Sequence, residues 1–383
     1  MIKRTLLILI VLGATRAFAQ DIPETRALFS AGEGGYKSYR IPSLIKAKNG
    51  ALIAFCEGRK DGAGDAGDID LLMKRSTDNG KTWGPQTVVW DDGTNTCGNP
   101  CPVLDEETGE ILLLLTQNRG DVPEKDIIIK KSESTRTVWL SRSADHGATW
   151  AKPVEITQTT KKPEWGWYAT GPGIGIQIKN GPRKGRLVIP CDFSYDDPNG
   201  KVRNGPFEYG AHAIYSDDHG KTWQLGGTIT PKMNECQVIE VADGNGTLLM
   251  NMRSYFGHGR RAQSVSYDGG VSWTAPEDIP ELVEPVCQAS IIRYQRPKGS
   301  SAMLFLNPAS TTKRHNLTLR ASFDEGKTWP VIRTIFPGPS AYSSMAALPD
   351  GNILCLYEAG KTGAYEQIVL QTITPQWLFG DRK

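Results

Sequence analysis

Histidine occurs five times in 383 residues, and two of the five, His146 and His219, fall in turn motifs. No Gly-x-Ser-x-Gly elbow, phosphate-binding loop, His-Glu-x-x-His helix or EF-hand spacing occurs. Chemistry in this chain must rest on carboxylates, arginines and tyrosines. Carboxylates crowd one Gly-rich stretch, Glu57-Gly-Arg59-Lys-Asp61-Gly-Ala-Gly-Asp65-Ala-Gly-Asp68-Ile-Asp70. A loop of that composition can close over a ligand, exclude water and lift an acid towards its working pKa. Glu235 and Glu240 share a strand-like run, and their odd separation places them on opposite faces. Arg40 opens a strand in Tyr39-Arg40-Ile41-Pro42, Arg253 closes Leu248-Leu-Met-Asn-Met-Arg253, and Arg314 and Arg320 bracket a third run. Tyr342 leads into an apolar segment. By residue type alone, a single Arg is a solvated surface group and such a Tyr a half-buried core aromatic.

The elements that must position these residues announce themselves by repetition. The pattern Ser-x-Asp-x-Gly-x-[Ser/Thr]-Trp occurs at Ser76–Trp83, Ser143–Trp150, Ser216–Trp223, Ser266–Trp273 and Ser322–Trp329. Asp bonds nearby backbone amides, Gly accepts positive φ, and Trp supplies an apolar anchor. Each copy therefore reads as a turn between two short strands. Successive copies start 67, 73, 50 and 56 residues apart, lengths that suit one four-stranded sheet with variable loops. Radial repetition of such sheets is a β-propeller. With 41 Gly, 24 Pro and no long helical periodicity, the chain is all-β.

Net charge is +2, which points to neither nucleic acid nor a membrane surface. Met1-Ile-Lys3-Arg4, the apolar run Leu6–Leu12 and Ala17-Phe-Ala19 read as a signal peptide over residues 1–19. That run is too short to span a bilayer. Residues 20–383 contain no linker and are expected to form one domain. Cys97 and Cys101 are close enough in sequence to bridge, whereas the other five cysteines read as buried small hydrophobes. The cysteine spacing gives no zinc site.

The Arg-Ile-Pro opening followed by Asp boxes in series resembles the sialidase (neuraminidase) family of exo-glycosidases, of the bacterial secreted type. The resemblance covers almost all of the chain after the leader. It implies a six-bladed β-propeller of four-stranded antiparallel sheets, with the segment around 350–375 supplying a blade that lacks the box. It implies a glycoside hydrolase, an exo-α-sialidase that removes terminal sialic acids with retention of configuration, exported to a periplasm or the cell exterior. A trans-sialidase and a non-catalytic glycan-binding propeller are the alternatives. By the resemblance, Arg40, Arg253 and Arg314 grip the substrate carboxylate, a task suited to planar, permanently charged guanidinium groups. Tyr342 is the nucleophile and Glu235 its base. A neutral phenol avoids the repulsion that a carboxylate would meet at a carbon already bearing one, and sialidases are a recognised exception to carboxylate nucleophiles. Asp65 is the general acid, with Asp68 next and Asp61 behind it, while Asp70 is strand-bound. Glu358 orients Arg40, since a buried Glu needs a partner. Arg59, Trp167 and Gln177 are further substrate contacts, with Trp165 beside them, on the reading that 165–177 forms a rim segment. Arg320 is assigned to strand surface or core edge. Partners are sialylated glycans on glycoproteins, glycolipids or oligosaccharides, with no cofactor, metal, nucleic acid or membrane span.

Overall fold

The computed structural model describes residues 21–297 and 299–380, so the leader expected at 1–19 lies outside the described residues. Strand β1 (Thr25–Ser30) is followed by one sheet holding β2 (Ser38–Lys46), β3 (Leu52–Arg59), β4 (Ile69–Ser76), β5 (Thr87–Trp90), β6 (Thr96–Leu104), β7 (Ile111–Asn118), β8 (Thr137–Ser143) and β9 (Val154–Glu155). A second sheet holds β10 (Tyr168–Thr170), β11 (Ile176–Gln177), β12 (Leu187–Asp196), β13 (Phe207–Ser216) and β14 (Gln224–Ile229). A third holds β15 (Met233–Glu240), β16 (Leu248–Ser254), β17 (Arg260–Ser266) and β18 (Glu277–Val283). The last holds β19 (Ser290–Tyr294), β20 (Ala302–Pro308), β21 (His315–Ser322), β22 (Val331–Ala347), β23 (Ile353–Ala359) and β24 (Gln367–Ile373), with β1 pairing antiparallel to β24 at its edge. The protein is all-β apart from short helical turns, and the ends of the chain meet in one sheet.

Several strands are buried along their whole length because both faces are covered. In β3, Leu52, Ala54 and Cys56 enter one apolar cluster while Ile53 and Phe55 enter another. In β7, Ile111, Leu113 and Leu115 face the latter, and Leu112 and Leu114 a third. Alternation therefore serves two cores at once, which explains why these strands read as continuous apolar runs. The cluster around Leu52 also contains Leu28, Leu354, Leu356 and Leu370, so the start of the chain packs on its end.

Each box turn connects two consecutive strands: β4 to β5, β8 to β9, β13 to β14, β17 to β18 and β21 to β22. The five turns share one hydrogen-bond scheme. The Ser hydroxyl donates to Asp Oδ1 at 2.8 Å, and the Asp accepts from the backbone N–H four residues on at 2.9 Å. The two residues after the Asp take positive φ, for example His146 at 61° and Gly147 at 79°, which is why the second is always Gly. The pairing of β24 with β1 joins the last and first strands of the described residues, so no box turn lies between them.

All seven cysteines are buried free thiols, so Cys97 and Cys101 do not bridge. A register shift between Gly98 and Cys101 sends the two side chains into separate cores. No helix among the described residues is long and apolar enough to cross a membrane.

Candidate active site

Four of the register shifts in the sheets matter here: in β2 between Arg40 and Ser43, in β6 between Gly98 and Cys101, in β15 between Met233 and Cys236, and midway along β22, in its pairing with β23, between Ser340 and Ser343. A bulge bends the strand and re-aims the side chains within it. The residues inside these shifts, Ile41, Asn99, Asn234, Glu235 and Tyr342, line one cavity of about 310 Å³. Ile41 and Asn99 sit at φ 61° and 54°, an uncommon region for non-Gly residues and a costly one for a β-branched side chain. Buried carboxylates secure these distorted segments. Glu358 accepts from the Ile41 and Tyr342 backbone N–H groups at 2.9 and 3.1 Å, and Glu57 accepts from Asn99 N–H at 2.9 Å.

The expected arginines and tyrosine converge here. Arg40 donates through Nε to Glu358 at 2.7 Å, and its guanidinium lies over the Tyr365 ring at 3.9 Å. Arg253 donates to Glu235 at 2.6 Å, to the Tyr255 hydroxyl at 2.6 Å and to the Tyr342 hydroxyl at 3.3 Å. Arg314 donates to the Tyr365 hydroxyl at 2.8 Å and to the Val286 carbonyl at 3.1 Å. Tyr342 donates its phenolic proton to Glu235 Oε1 at 2.5 Å. Burial and the Glu235 carboxylate push the Tyr342 phenol well above its usual pKa, against the pull of Arg253 and Arg314. Three cations that line one cavity repel one another, and an anion placed among them relieves that repulsion.

Of the four Asp residues in the Gly-rich loop, Asp65 lines the cavity. Its side chain is 52% exposed and meets Arg59 at 2.9 Å and Arg40 at 3.9 Å. Burial favours its neutral form, but Arg59 and Arg40 outweigh it and hold the carboxyl below its ordinary range. Asp68 pairs with Lys60 at 2.9 Å, and Asp70 is tied into β4 by Tyr36 and Lys60, so neither reaches the cavity. Arg59 lines the cavity, yet its donors go to Glu57 and to Ala63, Gly64 and Asp65 of the loop. Arg59 thus shapes the loop that presents Asp65.

The facing wall contains residues that sequence reasoning missed. Arg136, buried against the Trp167 ring at 4.1 Å, donates to Asn99 Oδ1, Thr116 and Asn118. Glu124 is pushed up to about 7 by burial and by Asp65. Asp192, fully buried, accepts from Asn234 Nδ2 at 2.7 Å, and burial with the Glu235 charge drives it well above the carboxylate range. Tyr255 and Tyr365 also line the cavity. None of these has a local sequence signal that marks it as part of a site.

Trp167 lies at the cavity, but Gln177 does not, which corrects the rim-segment expectation. The chain between them crosses the centre of the protein. There the Gly173 carbonyl accepts from Ser43, and the Pro172 carbonyl accepts from Gln237 and Gln288. Gln177 emerges on the opposite side, bonded to Asp105 and the Glu106 backbone, and lines a second, more apolar cavity. Trp165 stacks on Phe193 at 3.8 Å in the core. Glu240 is at the far end of β15, capping the Lys179 and Asn180 amides. Arg320 is buried, bonded to Asn307, and lowered to about 10 by burial. Among the described residues, no group of His, Cys, Asp and Glu side chains could hold a metal ion.

A family model described as a BNR repeat-like domain matches residues 50–355. A sialidase from Micromonospora viridifaciens is 35% identical over 341 residues, covering 86% of this chain and 51% of its own length. Sialidase-2 of Mus musculus is 30% identical over 371 residues, covering 90% of this chain and 94% of its own. Among solved structures, the Hadza microbial sialidase Hz136 matches with a TM-score of 0.80 at 30% identity, over 92% of this chain and 69% of that one. The chain thus spans about half the length of the Micromonospora protein and nearly all of the mouse one. A relative matched almost end to end, and a repeat model that covers most of the same residues, establish that this chain belongs to the sialidase family.

Proposed function

We propose that the protein is an exo-α-sialidase, a glycoside hydrolase that removes terminal sialic acids from glycans with retention of configuration. The observation that carries this reading is the 2.5 Å hydrogen bond from Tyr342 to Glu235, set in the cavity that also receives Arg40, Arg253 and Arg314. A sialic acid bears a carboxylate on its anomeric carbon. Anchoring that carboxylate on the arginines brings the anomeric carbon to the Tyr342 oxygen. Glu235 takes the phenolic proton as the oxygen bonds to carbon, and Asp65 protonates the departing glycosidic oxygen. In the second step Asp65 takes a proton from water, water oxygen attacks the same carbon, and Tyr342 leaves with the proton held by Glu235. Arg59 and Arg40 hold the Asp65 carboxyl below its ordinary range. A substrate carboxylate competes for Arg40, and its charge moves Asp65 towards the protonated form that an acid requires.

For the fold, we infer six blades of four strands. Support comes from three features. The 17-residue β22 pairs with β21 up to Pro339 and with β23 from Ser340 onwards. A single parallel pairing, Ile69 with Thr96, joins β4 to β6. Cutting there leaves β2–β5, β6–β9, β10–β14 (with β10 and β11 both on β12), β15–β18, β19 to early β22, and late β22 to β24 with β1. Each neighbouring pair of these groups shares one apolar cluster. The reading also makes residues 20–383 one domain, exported behind a leader of 1–19. N-terminal sequencing of exported protein that began at Met1 would overturn the leader.

Release of a fluorogenic aglycone from an α-linked sialic acid tests the activity, and proton NMR of the first-formed sugar tests its anomeric outcome. No turnover by the wild-type protein between pH 4 and 8 rejects the enzyme. A β-anomer formed first rejects retention.

A further inference from the structure

Arg261 and Glu284 form a buried ion pair at 2.8 Å, the two residues 0% and 1% exposed, and neither lines the cavity. Replacing a buried pair by well-packed apolar side chains is often neutral or stabilising, so such a pair calls for a reason other than stability. Its partners supply one. Glu284 Oε1 accepts from the Ser254 backbone N–H at 2.7 Å, immediately after Arg253. Arg261 Nε donates to Asn251 Oδ1 at 2.7 Å, two residues before Arg253 on the same strand. Arg261 Nη1 also donates to the Cys287 carbonyl at 2.7 Å. The next carbonyl back, that of Val286, receives Arg314 at 3.1 Å, and Val286 is held at φ 55°. The pair thus clamps the strand end that carries Arg253 to the strained turn that locates Arg314.

We propose that Arg261 and Glu284 are positioning residues that set the spacing between the Arg253 and Arg314 guanidinium groups, and so decide how tightly the site takes a carboxylate without touching it. The inference rests on the exo-sialidase reading. The two ends of Glu284 each accept from a donor, whereas Gln offers one acceptor oxygen and an NH2 that would face an N–H. Glu284→Gln therefore keeps volume and breaks one tie. The double variant Arg261→Met/Glu284→Leu fills the space and breaks both.

The test compares KM and kcat on a fluorogenic sialoside, together with inhibition by the 2,3-dehydro glycal of N-acetylneuraminic acid and by its methyl ester. The double variant is expected to melt within a few degrees of wild type, raise KM about tenfold, lower kcat less, and shrink the preference for acid over ester. Glu284→Gln is expected to move the same ratios less far, and it supplies the readout where the double variant does not fold. A folded variant with wild-type KM and an unchanged acid-to-ester ratio overturns the inference. Equal weakening of acid and ester overturns it too, since that marks general loosening. A wild-type protein that turns over no sialoside rejects the functional reading, and the two failures are thereby distinct.

Discussion

The box turns and the cavity use the same chemistry, carboxylates accepting hydrogen bonds, over very different chain distances. Asp145 satisfies itself with Ser143, Ala148 and Thr149, all within four residues. Glu358 reaches Arg40 across 318 residues, and Tyr342 reaches Glu235 across 107. Charge state divides them as well. The Thr149 bonds hold Asp145 down at about 2, fully ionised. In the cavity, Asp65 is held down by arginines while Glu124 and Asp192 are pushed up by burial. A turn that closes its own hydrogen bonds can be copied five times at little risk. A site with carboxylates in different protonation states needs neighbours from many strands, and it exists once.

This contrast can be broken most forcefully at Tyr342. Tyr342→Phe is expected to lower kcat by at least about 10³-fold with the melting temperature kept within a few degrees, because only the hydroxyl is removed. Full activity in that variant would remove Tyr342 from the chemistry. Next, Asp65→Asn is expected to cost about 10²-fold or more on a natural sialoside and distinctly less on an aglycone that departs without protonation. Equal losses on both substrates would show that Asp65 is not the acid.

The turns should behave in the opposite way. Asp145→Ala is expected to cost about 1 kcal/mol of stability in denaturant unfolding and leave kcat/KM unchanged. A tenfold loss of activity without loss of stability would place chemistry in the box. The smallest effect tests protonation. Folded Glu124 titrates near 7, above its ordinary 4.5, so the folded protein keeps a proton that the unfolded chain has already released. This contribution to stability therefore falls as pH rises between those values. The Glu124→Gln variant lacks it, and its melting temperature should decline less than wild type between pH 5 and 7.5. Parallel curves would show that Glu124 is not perturbed.

Legibility followed the same division. The five turns and the alternation Leu52, Ala54, Cys56 against Ile53, Phe55 are local and could be read directly. Arg40, Arg253, Arg314, Glu235 and Tyr342 were found through the motifs that flank them, and all line the cavity. Arg136, just before β8, and Asp192, within β12, carry no distinguishing pattern in the sequence, because what sets them apart is neighbours from elsewhere in the chain. Gln177 lies elsewhere because the six residues between it and Thr170 carry the chain past Ser43, Gln237 and Gln288 to the other cavity.

The sequence by itself determined the all-β class, the five turns and the residue types available for catalysis. Hydrogen bonds within a few residues and period-2 burial are encoded where they act, and need no knowledge of the rest of the chain. Only the tertiary structure decided which side of the molecule is the site, which of the loop carboxylates faces it, and which acids are pushed towards their neutral form there. Those outcomes depend on strands far apart in the chain coming together around one centre, with β1 closing against β24. They depend equally on bulges in β2, β6, β15 and β22, each held by partners from other parts of the chain. Burial and the sum of neighbouring charges, which set each pKa, do not exist until that arrangement has formed.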